Sequence, residues 1–288
     1  MILVMRMISL CIPLLFSSFL FSQKDKAFVI YNSAGKKASY KQMKQLAFKN
    51  QIVFFGEFHD NPISHWLEFE LMVDLFEKHE SNLVLSFEMF ERDQQTVLTN
   101  YLEGKLTDSQ FKDSCRLWPN YETDYKPLID FAKDKQLKVI AANIQRKYAS
   151  LLFKKGRNAL YSLSPIVKSQ MVAINFPLDT TLSQYQEIQK MGGHMGLNMV
   201  EAQAIKDATM AKFILEAMKK ETFILHFNGA FHSDFKQGIL WYIWKEKPDT
   251  KIMTISTVTQ ENIYKFEKEH LGKADFIICV PESMTRTH

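Results

Sequence analysis

Charge asymmetry is the first thing this sequence lacks. Its 36 basic and 32 acidic residues leave a formal charge of +4 over 288 residues. No basic arm or zinc-ligand spacing accompanies them, so nothing here argues for nucleic acid. Cysteine is scarce as well, with Cys11, Cys115 and Cys279 the whole complement. That excludes a disulfide framework and leaves Cys115 and Cys279 as either one bridge or two free thiols. No Gly-x-Ser-x-Gly elbow, phosphate loop or HExxH pair occurs, which removes the signatures of the serine-elbow hydrolases, the P-loop nucleotidases and the common zinc peptidases. Cys115 lies far in sequence from any histidine and offers no cysteine nucleophile.

Apolar runs of membrane-spanning length are missing too, and the nearest approach is at the front. Residues 1–22 carry Arg6 as their one charge, and Ile8 to Phe21 is too short for a comfortable span. Small Ser22 precedes the polar Gln23-Lys24-Asp25-Lys26. This reads as a secretory signal peptide cleaved near Ser22–Gln23, with an uncleaved anchor as the alternative. Leu10 before Cys11, and apolar residues after it, argue against lipid attachment at that cysteine. The expectation is an exported protein of the periplasm or cell envelope whose mature part, 23–288, forms a single domain. Loss of Arg6 leaves 35 basic against 32 acidic residues, a net charge of +3.

What is present is a large apolar fraction, 46%, with 13% aromatic, enough for a folded core. The chain is organised around Gln51 to Glu70, QIVFFGEFHDNPISHWLEFE. Ile52 to Phe55 is an unbroken apolar run of the kind that forms a strand buried on both faces. Gly56 permits a turn or close approach, and Glu57 and His59 follow two residues apart. Asn61 and Pro62 form a helix start, cap then first position, with His65 in the first turn. A second stretch echoes it: Thr222 to Asn228 is a strand that runs into Gly229-Ala230-Phe231-His232. Gly-x-Phe-His thus occurs twice, each time after a strand.

Strands are also expected at Ala27–Tyr31, Leu83–Phe87, Lys138–Ala142, Ile252–Val258 and Phe276–Val280. Helices are expected at Ser39–Phe48, Pro62–His79 and Tyr125–Asp134, with a loop at Trp118–Tyr121. This alternation predicts an α/β fold with a mainly parallel sheet flanked by helices. From about 146 to 220 the pattern is helical, which predicts a helical lid inserted over the carboxyl edge of the strands. Met191-Gly192-Gly193-His194-Met195-Gly196 interrupts it, and Asn198–Met218 reads as one long helix.

Glu57, His59, Glu88, Asn143 and His232 all fall at or just after strand ends. If those strands are parallel neighbours, two carboxylates and two imidazoles meet on one rim. Glu57, His59, Glu88 and His232 then suit a divalent transition metal, or general acid–base work on a bound substrate. Each alone is as readily a helix cap or a satisfied core group, and His226, between Leu225 and Phe227, reads as a core histidine. The insertion offers other chemistry. Arg146, Lys147 and Tyr148 lie among apolar residues, and Tyr185, Met191, His194, Met195 and Met199 surround the glycines. Haem needs an apolar slot, an axial Tyr, His or Met, and cations for its propionates. A methionine-packed lid with a solvated basic face accounts for the same residues.

The segments FFGEFHDNPISH, LSFEMFERDQQ, WPNYETDYKPLIDFA, VIAANIQRKYA, VEAQAIKDATMA, ILHFNGAFHSDFKQGI and ADFIICVPES, in that order, resemble the ChaN-like haem-binding uptake family of the Tiki/TraB/erythromycin-esterase superfamily. The resemblance covers about Gln51 to Ser283. It implies an α/β fold with a helical lid, an exported protein, and a role in haem or iron acquisition with the uptake machinery as partner. Haem would lie between lid and rim, or across a homodimer. It further implies tyrosine ligation, for which Tyr148 in Asn143-Ile144-Gln145-Arg146-Lys147-Tyr148 is the candidate, with Arg146, His194 and Met195 nearby. Ile144-Gln145 stands where relatives commonly carry a small residue and proline. The wider superfamily also implies the alternative of a metal-dependent hydrolase, a peptidase or esterase, using Glu57, His59, Glu88 and His232.

Overall fold

The computed structural model describes residues 26–287; the leader assigned to residues 1–22 lies outside them. Short edge strands come first, β1 (Val29–Asn32) and β2 (Lys37–Ala38), then helix α1 (Tyr40–Ala47). The central strand β3 (Ile52–Glu57) leads into α2 (Pro62–His79), and β4 (Leu83–Glu91) into α3 (Gln95–Leu102), α4 (Asp108–Ser114) and α5 (Lys126–Asp134). After β5 (Lys138–Asn143) come α6 (Arg146–Lys155), α7 (Pro165–Ser169), α8 (Ser183–Met191) and α9 (Gly196–Ala217). The chain closes with β6 (Phe223–Gly229), α10 (Ile239–Glu246), β7 (Ile252–Gln260) and β8 (Phe276–Pro281).

The eight strands form one sheet in the order β2-β1-β8-β7-β3-β6-β4-β5. From β8 to β5 all pairings are parallel, and β1 joins β8 antiparallel at the edge. Alternation along the strands divides the core. Val53 and Phe55 point to the face covered by α1 to α5, while Ile52 and Phe54 point to the face covered by α6, α8, α9 and α10. Both faces are therefore apolar, which explains the unbroken run that marked β3. The helical insertion accordingly supplies the layer on one face, and residues of α8 and α9 reach from it over the strand ends. Among the described residues no helix is long and apolar enough to cross a membrane. Cys115 and Cys279 are both free thiols.

Local sequence explains how the strand ends are shaped. The Asn61 side chain accepts from the backbone N–H groups of Ile63 and Ser64, each at 3.0 Å, and Pro62 opens α2. β4 runs four residues beyond the expected Phe87. Phe87 faces Ala141 and Glu91 faces Asn143, so four steps on β4 match two on β5. This bulge places Glu88 within the strand rather than at its end, and re-aims it. The loop expected at Trp118–Tyr121 passes into a π-helical turn, Tyr121–Tyr125, ahead of α5. Such turns recur at functional sites.

Candidate functional site

The two Gly-x-Phe-His segments are side by side. β3 and β6 are parallel neighbours, with Gly56 opposite Asn228 and Glu57 opposite Gly229. A β-carbon at Gly56 would come within 2.8 Å of the Ile255 carbonyl oxygen and 2.9 Å of Ala230 Cα. One at Gly229 would come within 2.6 Å of His59 Nε2. Each glycine is required by close approach, the first of backbone and the second of the first motif's own histidine.

Glu57, His59, Glu88 and His232 all line one cavity of about 990 Å³ at the carboxyl ends of the strands, together with Asn143. They form two pairs rather than one cluster. In the first, the His59 Nδ1–H donates to Glu57 Oε1 (2.7 Å), and the Tyr125 hydroxyl donates to the same oxygen (2.6 Å). Trp118 packs edge-on to the His59 ring, with centroids 4.8 Å apart. Burial would raise the Glu57 carboxyl, but the hydrogen bond from His59 and the charges of His65 and His59 hold it below its ordinary value. His59 is drawn up by Glu57 and Glu88 against the desolvation that opposes its charge.

In the second pair, His232 Nε2 lies 3.1 Å from Glu88 Oε1, and its Nδ1 makes a short hydrogen bond to Asp207. The Tyr185 hydroxyl donates to the other Asp207 oxygen (2.7 Å), and the Gly229 N–H to Glu88 Oε2 (2.8 Å). Burial would discharge His232, but Glu88 and Asp207 together push it up to about 10. Glu88 is fully desolvated, yet His232, His59 and Lys206 hold it well below the usual carboxylate range. His232 is thus a buried imidazolium clamped at both nitrogens. His226, as expected, is a core group: buried, bonded through Nδ1 to Ser86 Oγ (2.8 Å), and lowered to about 3 by burial.

The haem-type candidates separate. Arg146 lines the cavity, as do Met191 and Met199, but Tyr148, His194 and Met195 do not. Arg146 and Tyr148 are two residues apart on α6, roughly 200° around the helix, so they cannot share a face. Tyr148 packs instead at the border of the second core, with Lys147 over its ring. His194 is exposed in the short turn before α9. No tyrosine is among the cavity's lining residues.

Sequence reading missed Asp207, Tyr125, Asp124 and Glu68, which hold or charge the rim, and grouped Tyr185 with the haem-type residues, where the structure buries it against Asp207 instead. Two of them left a signal. Asp207 falls seven residues after Val200 on α9, an acid on the helix's apolar face. His65 and Glu68 sit three apart on α2, also on its buried side.

Residues 43–243 match the model of the family described as haem-binding uptake, Tiki superfamily, ChaN. The chain belongs to that family. Among solved structures it is similar to ChaN of Campylobacter jejuni, described for its cofacial haem binding, with a TM-score of 0.67 at 17% identity, covering 88% of this chain and 97% of that one. It is also similar to a succinoglycan biosynthesis protein, with a TM-score of 0.52 at 10% identity, covering 84% and 90%. At these identities the likeness is one of fold. No curated protein matches.

Proposed function

We propose that this ChaN-family protein is exported and acts in haem or iron acquisition, holding haem in the cavity at the ends of β3, β4 and β6. The cavity is the observation that carries the reading. Its volume, about 990 Å³, is at the upper end for small-molecule sites. Phe58, Trp118, Met191, Met199 and Phe231 give it an apolar wall, and Arg146, Lys206 and Lys273 give it cations suited to propionates. Bound haem supplies an iron centre with an axial position for a protein donor.

His59 is the donor this geometry favours, in place of Tyr148. Its Nδ1–H is taken by Glu57, which fixes the ring and leaves Nε2 as the nitrogen for an incoming group. The ring is partly accessible, its side chain 38% exposed. His232 is excluded from the role because Asp207 and Glu88 occupy both nitrogens. Haemin titrated into the protein is expected to give a saturable change in the visible spectrum, shifted and weakened in His59→Ala and unchanged in Tyr148→Phe. A silent His59→Ala with an altered Tyr148→Phe returns the ligand to Tyr148. No saturable change in the wild type removes haem from the account. Export is tested separately by intact mass, which should place the mature start near Gln23.

The Glu57–His59 pair also supports a second reading. An ionised carboxylate orienting an imidazole is the geometry of a general base acting on water, which suits a peptidase or esterase. Hydrolysis of ester or peptide substrates that is abolished in Glu57→Gln, in protein that does not bind haemin, favours this reading over haem binding.

A further inference from the structure

Glu57 presents two different environments with its two carboxylate oxygens. Oε1 is taken by His59 and Tyr125 at the cavity. Oε2 lies toward α2, on the side of the sheet that Glu57 shares with Val53 and Phe55. There it meets His65 and Glu68, which lie three residues apart on the buried stripe of the helix.

We propose that Glu57, His65 and Glu68 form a binding site for one divalent transition-metal ion, behind the wall of the haem cavity and sharing Glu57 with it. One ligand atom from each residue lies within 4.8 Å of the others, and all three residues are buried. Two further observations point to a ligand. Glu57 Oε2 and Glu68 Oε1 are buried oxygens that receive no N–H or O–H from the surrounding residues, and the two carboxyl groups lie within reach of each other, so a shared proton or a cation is needed between them. The imidazole is also oriented as in metal sites. His65 Nε2 lies 3.0 Å from the His59 carbonyl oxygen, and a carbonyl can only accept, so Nε2 carries the hydrogen. Nδ1 is thereby aimed at the carboxylates: it donates to Glu68 Oε2 at 2.9 Å and lies 3.9 Å from Glu57 Oε2, and a bound ion takes the place of that proton. Metal-bound histidines characteristically donate their other N–H to a carbonyl or carboxylate.

The spacing fits an ion. Two ligands at about 2.1 Å on tetrahedral corners are about 3.4 Å apart, and the two observed separations straddle that value. An outer ring holds the ligands in place. Tyr125 donates to Glu57, and the Asn120 side-chain amide donates to the His59 carbonyl oxygen (2.7 Å) and to Asp124 (2.6 Å). Two carboxylates and one imidazole suit Mn²⁺, Fe²⁺ or Zn²⁺. Mg²⁺ and Ca²⁺ prefer oxygen alone, and Cu⁺ prefers sulfur. The other grouping of this kind among the described residues, Glu267, Glu269 and His270, has two exposed carboxylates and no comparable enclosure.

The test needs no haem, so its outcome is independent of the haem reading. Full-length protein is stripped with chelator, equilibrated with Zn²⁺ or Mn²⁺ and with Mg²⁺ as control, and analysed for bound metal. About one Zn²⁺ or Mn²⁺ per chain is expected, with affinity at least tenfold lower in Glu68→Gln and His65→Gln, since even outer-shell losses cost about that much. Glu269→Gln should bind as the wild type does. Should the buried variants fail to fold, pulsed paramagnetic resonance on the Mn²⁺-loaded wild type decides. Coupling to one imidazole nitrogen is expected, and its absence overturns the site. Wild-type binding no greater than the Mg²⁺ control, or full binding by Glu68→Gln, also overturns it and leaves a proton shared by Glu57 and Glu68 as the occupant.

Discussion

The two Gly-x-Phe-His segments have nearly the same local sequence and adjacent positions in the sheet, yet their histidines have different surroundings. His59 is held at one nitrogen by a residue two positions away and leaves the other toward the cavity. His232 is held at both, by Glu88 from a neighbouring strand and Asp207 from the helical insertion. The difference lies in what distant segments bring. A short motif fixes where an imidazole stands, while residues far away in the chain decide whether it is available to a ligand or locked as a structural cation.

Breaking the clamp on His232 should have the largest effect. Asp207→Ala leaves a buried imidazolium with one partner fewer and Tyr185 without its acceptor. The expected loss is about 3–5 kcal/mol of unfolding free energy, measured by denaturant titration. The two glycines sharpen the comparison at a smaller scale. Gly56→Ala forces a β-carbon against backbone and should cost roughly 1–3 kcal/mol. Gly229→Ala meets the movable His59 ring, so it should cost less stability while displacing His59, read as a changed haemin spectrum.

Titration separates the histidines further. Because His232 is raised to about 10 in the folded chain, its contribution is fully present below about pH 6.5 and is lost as the pH rises toward 10. Glu88, Asp207, His59 and Lys206 are the charges that face this region. Stability should therefore decline from neutral to alkaline pH, by up to about 1.4 kcal/mol per pH unit for this group. In His232→Gln that decline should be shallower, as followed by thermal melts across the range.

The fold and the rim were legible in the sequence because their signals are local. A buried parallel strand is an apolar run, Asn61-Pro62 starts a helix, and each Gly-x-Phe-His sits where a strand must stop. Glu88 was legible in kind but not in place, since the bulge in β4 depends on its pairing with β5. Tyr148 illustrates the converse. The segment around it has suitable residue types, but helical phase puts Arg146 on the cavity and Tyr148 on the core. Tyr125 and Asp207 reach the rim only through packing of segments 68 and 25 residues away from their partners. That relation is tertiary, and only the misplaced acid on the apolar face of α9 betrayed it.

The proposed haem site lies in the cavity beside the less encumbered of the two histidines. Its most direct test is an iron anomalous-difference map from crystals grown with haemin. The expected result is a peak inside the cavity within bonding distance of His59 Nε2, with ordinary difference density placing the propionates toward Arg146, Lys206 or Lys273. A peak outside the cavity, or on Tyr148 or His194, would contradict it.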